Sequence, residues 1–181
     1  MPEDFAFPLS EFYARTNLAL PRMEVIAVDA VPEPYRSLLV HERDMTSTLE
    51  KFHGSEIYIH ALSSEQRDGG YFREVVLHRA SDAAPVEFGA NRVNLALFTP
   101  AAREIFLQEK VPLGRILKDY GIAHTIRALG FFRIAPDALI CRTLKLAAPV
   151  PLYGRQAVIF NSTQQPLSQV VEILPPVLPE T

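Results

Sequence analysis

YFREVVLHRASDAAPVEFGANRVNLAL, residues 71–97, is the stretch on which the fold turns. Side chains two apart along a strand share a face. Tyr71, Arg73, Val75 and Leu77 therefore line one side of a strand over 71–79. Ser81-Asp82-Ala83-Ala84 reads as a turn, and 85–97 as the next strand, with Val93, Leu95 and Leu97 facing away from Ala90, Arg92 and Asn94. Just upstream, Ile57, Ile59 and Ala61 alternate with Tyr58 and His60 over 56–62, and Asp68-Gly69-Gly70 is a turn signal. Three strands joined by turns predict an antiparallel meander.

Working outward, the period changes to that of helices. Tyr35, Leu38, Leu39, Glu42, Met45, Leu49 and Phe52 recur at three and four residues over 34–53, which predicts one amphipathic helix or two joined near Asp44. Asp44 or Thr46 caps the second piece and Gly54 ends it. Thr99-Pro100 opens a helix by the cap-then-proline rule, and Pro112-Leu113-Gly114 starts another that Gly121 stops. A long strand is expected over 124–134, a short helix over 136–144, and two final strands over 152–160 and 167–174 around a polar turn. Residues 1–30 hold little pattern beyond a short helix over 9–16 and an extended piece over 23–28, and 176–181 is a Pro-rich tail. Runs of short strands and grouped helices, without regular alternation, predict an α+β fold: an antiparallel sheet with helices packed on one side.

The 181 residues suit a single domain spanning 1–181, and 48% apolar with 22% charged residues excludes a disordered chain, a coiled coil and a disulfide-stapled miniprotein. A net charge of -3 brings no basic surplus for nucleic acid or an anionic membrane. No apolar run approaches the ~18 residues of a membrane span. Residues 1–10 carry Glu3 and Asp4 instead of a basic and then apolar leader, so a cytoplasmic protein is expected. The lone Cys141 allows no internal disulfide and no cysteine-based zinc site, and the five histidines lack HExxH-type spacing, so no metal is expected. Glycine-rich phosphate loops and the GxSxG elbow are absent.

Two charges interrupt otherwise apolar faces. Arg73 stands among Tyr71, Val75 and Leu77, and Glu172 shares a face with Ser168, Val170 and Leu174. A dry, unpaired charge costs several kcal/mol or more, so each needs a partner. The two pair with each other, or lie on a solvated side, or line a ligand cavity; the pattern favours a structural pair. Arg92 is a surface residue or a second cation for an anionic ligand, with Glu87 nearby to neutralise it.

Several segments, in order, resemble one family. They are LLVHERDMTSTLEKFHG (38–54), YFREVVL (71–77), PVEFGANRVN (85–94), PLGRIL (112–117) and VVEILPP (170–176). Together they resemble the chorismate lyases, also called chorismate pyruvate-lyases or 4-hydroxybenzoate synthases. The resemblance implies a cavity beneath helical flaps in a chorismate lyase-like fold, and it turns the preference from a structural pair to a ligand site. It implies a carbon–oxygen lyase of ubiquinone or aromatic secondary-metabolite biosynthesis. Such an enzyme releases pyruvate from chorismate to leave 4-hydroxybenzoate, with no cofactor, since aromatisation supplies the drive. On that resemblance Arg73 takes a substrate carboxylate, Arg92 assists, Glu172 is the proton donor or acceptor, Met45 packs on the ring, and Leu113 and Gly114 meet the second anionic end. A solitary internal cavity requires no partner subunit, so a monomer suffices. The same fold resembles the UTRA effector-binding domains of bacterial regulators, which makes a non-catalytic sensor of aromatic acids the alternative. A related enzyme making another hydroxybenzoate is a further one. Departures from the family pattern are the extended turn over 78–84 and the additional Pro175.

Overall fold

The elements in chain order are α1 (Leu9–Arg15), β1 (Met23–Ile26), α2 (Tyr35–Leu39), α3 (Met45–His53), β2 (Ile57–Arg67), β3 (Gly70–Arg79), β4 (Pro85–Val93), α4 (Pro100–Leu107), α5 (Leu113–Asp119), β5 (His124–Ile134), α6 (Ala138–Thr143), β6 (Leu152–Asn161) and β7 (Pro166–Leu174). They come from a computed structural model, which describes residues 4–177. The reading of the first three residues, and of all but 176 and 177 of the tail, lies outside the described residues.

Tight turns join β2 to β3, β3 to β4 and β6 to β7, and a connection through α6 joins β5 to β6, giving two antiparallel sets, β2-β3-β4 and β5-β6-β7. They join where β4 pairs with β7, and β1 adds to β5, giving the order β1-β5-β6-β7-β4-β3-β2. The β2–β3 turn is tight because Asp68 and Gly69 both take positive φ, 48° and 71°, matching the right-handed twist of the strands. All pairings are antiparallel.

One face of the sheet meets α2 to α5. Leu38, Leu39, Met45 and Leu49 cluster with Ile59, Val75, Leu77, Phe131 and Leu174. Beside them Ala102, Phe106, Leu113, Ile116 and Leu117 cluster with Tyr71, Val93, Ile126, Ile159 and Val170. This is the antiparallel α+β architecture, with α2 to α5 gathered on one side. The short helices α1 and α6 close over the middle of the reverse face, on Phe72, Phe88, Phe132, Val171 and Ile173. Among the described residues no helix is long and apolar enough to cross a membrane.

Local chemistry explains most boundaries. Asp44 caps α3 by accepting from Ser47 N at 2.8 Å, so the helical stretch over 34–53 divides into two, and Gly54 ends it at φ 57°. Thr99 caps α4 ahead of Pro100, and Asp137 caps α6. Two boundaries differ from expectation. The strand expected to reach Leu97 stops at Val93, because the Asn94 side chain accepts from Ala96 N and opens a 3-10 turn over Leu95–Leu97. Conversely, β2 runs on to Arg67 past a bulge at Ala61/Ser63. Its second half, Ser63 to Arg67, is polar because it forms a sheet edge, where apolar alternation gives no signal.

Candidate functional site

The sheet floor beneath α3 and α5 is laid in cross-strand rows. In one row Val75, Gly89, Glu172, Arg155 and Phe131 are successive partners across β3, β4, β7, β6 and β5. In the next, Arg73, Asn91, Val170, Ala157 and Ala128 follow the same path. Glu87 lies one row further on the other side, opposite Leu77. The roof is the start of α3 (Asp44, Met45, Thr46) and the start of α5 (Pro112, Leu113, Gly114). A Cβ at Gly114 would fall 2.4 Å from Asp44 Oδ1 and 3.0 Å from Thr46 Oγ1, so only glycine lets the two helix starts meet. Arg115 and Glu50 pair beside this junction and tie α5 to α3.

Between floor and roof lies a cavity with about 580 Å³ of atom-free space, counting what opens to solvent, of which about 50 Å³ admits the centres of water-sized molecules. That is room for one small ring and little more.

Its polar wall is unusual. Arg73 is fully buried, and none of its three guanidinium nitrogens has a hydrogen-bond partner. The Phe106 ring lies against it, with Arg73 Cζ 4.0 Å from the centroid. Burial pulls its pKa down from 12.5 to about 10, against weaker support from Glu109 and the Tyr71 hydroxyl. Asn91 Oδ1, opposite Arg73, is buried without a partner as well.

Arg155 is the reverse case. It is 1% exposed and fully engaged. Its Nε donates to Glu172 Oε2 at 2.5 Å, Nη1 to the carbonyls of Leu39 (3.2 Å) and His41 (3.0 Å), and Nη2 to that of Arg43 (3.2 Å). It thus staples the segment between α2 and α3 to the sheet while balancing the Glu172 charge. His41 donates through Nε2 to Leu38 O at 2.7 Å and accepts at Nδ1 from Arg43 N. Burial, then the Arg155 charge, lower its pKa and keep it neutral.

Glu87 is 4% exposed, and its Oε2 has no partner. Burial, then the neighbouring Glu172 charge, push its pKa well above 4.5, and Arg155 offsets this only in part.

Of the residues singled out from sequence, Arg73, Glu172, Met45, Leu113 and Gly114 all line this cavity. Arg92 does not. It sits on the reverse face with Phe88 and Ala90, pairs across the strands with Phe72 and Gln169, and lies with Cζ 5.8 Å from the Phe72 ring centroid. The parity of β4 requires this, because positions 87, 89, 91 and 93 face the helices and 92 cannot. Arg73 and Glu172 do not pair with each other; Glu172 has Arg155. Of three further wall residues, Glu87, Asn91 and Arg155, only Glu87 was named from sequence, and that as the neutraliser of Arg92, from which the parity of β4 turns it away. For the first two a signal existed, since they alternate with Gly89 and Val93 on the face opposite Arg92.

No protein-family model and no curated protein matches the chain. Solved structures do match in shape. PhnF from Mycobacterium smegmatis superposes with a TM-score of 0.56 at 19% identity, over 72% of this chain and 63% of that one. This chain therefore spans less than two thirds of that protein. The effector domain of the same PhnF gives a TM-score of 0.56 at 17% identity over 73% of this chain and 88% of that one. A protein described as possible transcriptional regulator YydK from Bacillus subtilis gives 0.54 at 10% identity over 96% and 93%. The fold is thus the chorismate lyase-like UTRA fold of such effector domains. These neighbours overturn the lyase expectation. The chain shares its shape with regulator domains, so the assignments as a carbon–oxygen lyase, as an enzyme and to hydroxybenzoate biosynthesis are withdrawn. A shared fold does not fix the chemistry of its site, which is why a resemblance carried by short motifs did not bring the activity with it.

Proposed function

We propose that the chain is a non-catalytic effector-binding domain, with one unit spanning 1–181, whose cavity receives a small monocarboxylic acid carried on a single ring. The observation that carries this reading is Arg73, a buried guanidinium with three free nitrogens facing a ring-sized cavity. Arginine's donors match a carboxylate with two parallel hydrogen bonds. Folding leaves that fork unused, at a cost of several kcal/mol that a bound anion offsets. Charge supports a monoanion: Arg155 and Glu172 pair with each other, which leaves Arg73 as the arginine on the floor without an ion-pair partner. Asp44, at the rim, is occupied in capping α3. Met45 packs on the ring, and Leu113 and Gly114 close over it from α5. Arg92 takes no part.

Titration with benzoate, followed by calorimetry and thermal unfolding, tests the reading. The acid binds and raises the unfolding temperature, it is recovered chemically unchanged by chromatography, and Arg73→Gln abolishes the effect. The reading fails if benzoate and related ring acids leave the protein unshifted, or if Arg73→Gln binds them as well as the parent does.

A further inference from the structure

A groove at the C-terminal end of α3 shares no lining residue with the Arg73 cavity. Its floor is Leu38, Leu49, Val86, Leu144 and Leu174, each at most 3% exposed. The end of α3, the β3–β4 turn, the loop after α6 and residues 175–177 rise around it. It holds about 1790 Å³ of atom-free space, counting what opens to solvent. Phe52 continues the apolar stripe of α3, and it stands 42% exposed here.

The lining suits hydrocarbon. Among the described residues Asp82 is its one carboxylate, and Arg79 holds it with two hydrogen bonds of 3.1 and 2.7 Å. Backbone donors around the rim are spent: Ala83 N on Arg79 O, Ala84 N on Asp82, Leu146 N on Cys141 O, and Val177 N on the Tyr35 hydroxyl. Pro85, Pro175 and Pro176 have no N–H to give. An extended peptide would bring a carbonyl per residue for these donors to meet, whereas an alkyl chain brings none. The floor is recessed, so a single chain reaches it and a flat bilayer surface does not.

Lys145 supplies the polar end. Among the described residues it has no ion-pair partner. It takes φ 53° just after α6, where Lys145 N donates to Arg142 O and Leu146 N to Cys141 O. Helices that end this way ordinarily place glycine at that position. The chain instead sacrifices some local stability for an ammonium at the groove. The charged neighbour of Lys145 is another base, His78, whose pKa is lowered by burial first and by the Lys145 charge next.

We propose that this groove binds one alkyl-chain carboxylate. The chain lies over Leu49, Leu144 and Leu174 against the Phe52 ring, and the carboxylate meets Lys145. The site is separate from the ring-acid cavity and does not depend on its occupancy.

The probes are decanoate, octanoate, decanol and acetate, titrated calorimetrically into the full chain below the concentrations at which they form micelles. One decanoate binds per chain. Each methylene removed weakens binding about two- to fourfold, decanol binds about threefold more weakly than decanoate, and acetate does not bind. Phe52→Glu, a change at an exposed position, weakens decanoate about tenfold or more. Lys145→Gly removes the cation in a backbone conformation that glycine prefers. It erases the difference between decanoate and decanol, while its unfolding midpoint equals or exceeds that of the parent. The inference is overturned if Phe52→Glu binds decanoate as the parent does, if Lys145→Gly still favours the acid over the alcohol, or if Arg73→Gln, and not Phe52→Glu, loses decanoate. Sedimentation with phosphatidylglycerol vesicles separates the sources: protein that travels with vesicles but takes up no monomeric decanoate overturns it too. Benzoate has no part in these titrations, so their failure leaves the receptor reading untouched.

Discussion

Replacing Arg73 by methionine tests whether the protein sacrifices stability for its cavity. The substitution keeps a long, flexible apolar side chain against Phe106 and removes the buried cation. The pKa of Arg73 drops from 12.5 to about 10 on burial. At about 1.4 kcal/mol per pH unit that amounts to about 3 kcal/mol of folding free energy forgone at neutral pH. The lost contact between the guanidinium and the Phe106 ring returns about 1–2 kcal/mol to the other side. The ligand-free Arg73→Met protein therefore gains about 1–2 kcal/mol, or about 2–8 °C in unfolding temperature for a chain of this size. Ring acids reverse the order. At a hundredfold excess over Kd they stabilise the parent by about 2.7 kcal/mol and the variant not at all. Urea unfolding with and without benzoate measures both quantities. A ligand-free variant less stable than the parent by more than about 1 kcal/mol would mean that Arg73 is satisfied in the fold, and the reasoning would be wrong. An equal benzoate shift in both proteins would refute the carboxylate assignment.

Arg155→Met should act in the opposite sense, costing about 3–5 kcal/mol, because Glu172 is left buried without its partner and the segment between α2 and α3 loses its staple; urea unfolding and proteolysis within residues 40–44 check it. Glu87→Gln should make the protein more stable than the parent, by a margin that grows as pH rises above 4.5. The folded carboxyl titrates well above that value, so the parent's stability falls from about 4.5 upward until the folded group has ionised. Thermal unfolding across that pH range measures the margin, and a margin independent of pH would contradict it. Gly154→Ala should destabilise by about 1–3 kcal/mol or more. Its Cβ would lie 2.4 Å from both Glu172 O and Phe132 Cζ, and a backbone carbonyl cannot swing aside; denaturation midpoints test this.

The positions of Arg73 and Glu172 show how far local pattern reaches. Each interrupts an apolar face in steps of two, so parity alone marks it as pointing inward. Arg92 shows the converse, since its motif suggested a ligand contact while its parity placed it with Ala90. Parity was the better guide, and the same rule applied to Glu87 and Asn91 would have found them. Caps and turns at Asp44, Gly54, Thr99 and Asp68-Gly69 were equally legible, because each satisfies backbone groups within a few residues. The polar edge of β2 was not, since an edge strand need not alternate.

What the chain by itself determined is the sequence of elements, their inward faces and the presence of a buried cation, because backbone stereochemistry and side-chain parity act over a few residues. Who meets whom was left to the tertiary structure. Glu172 finds Arg155 only because β6 and β7 are neighbours in that register. Arg73 is left unmatched only because Phe106, a ring and not a carboxylate, comes to rest above it. Pairing between strands and helices distant in sequence is decided by global packing, and it is the partner, present or missing, that turns a buried charge into either a staple or a binding site.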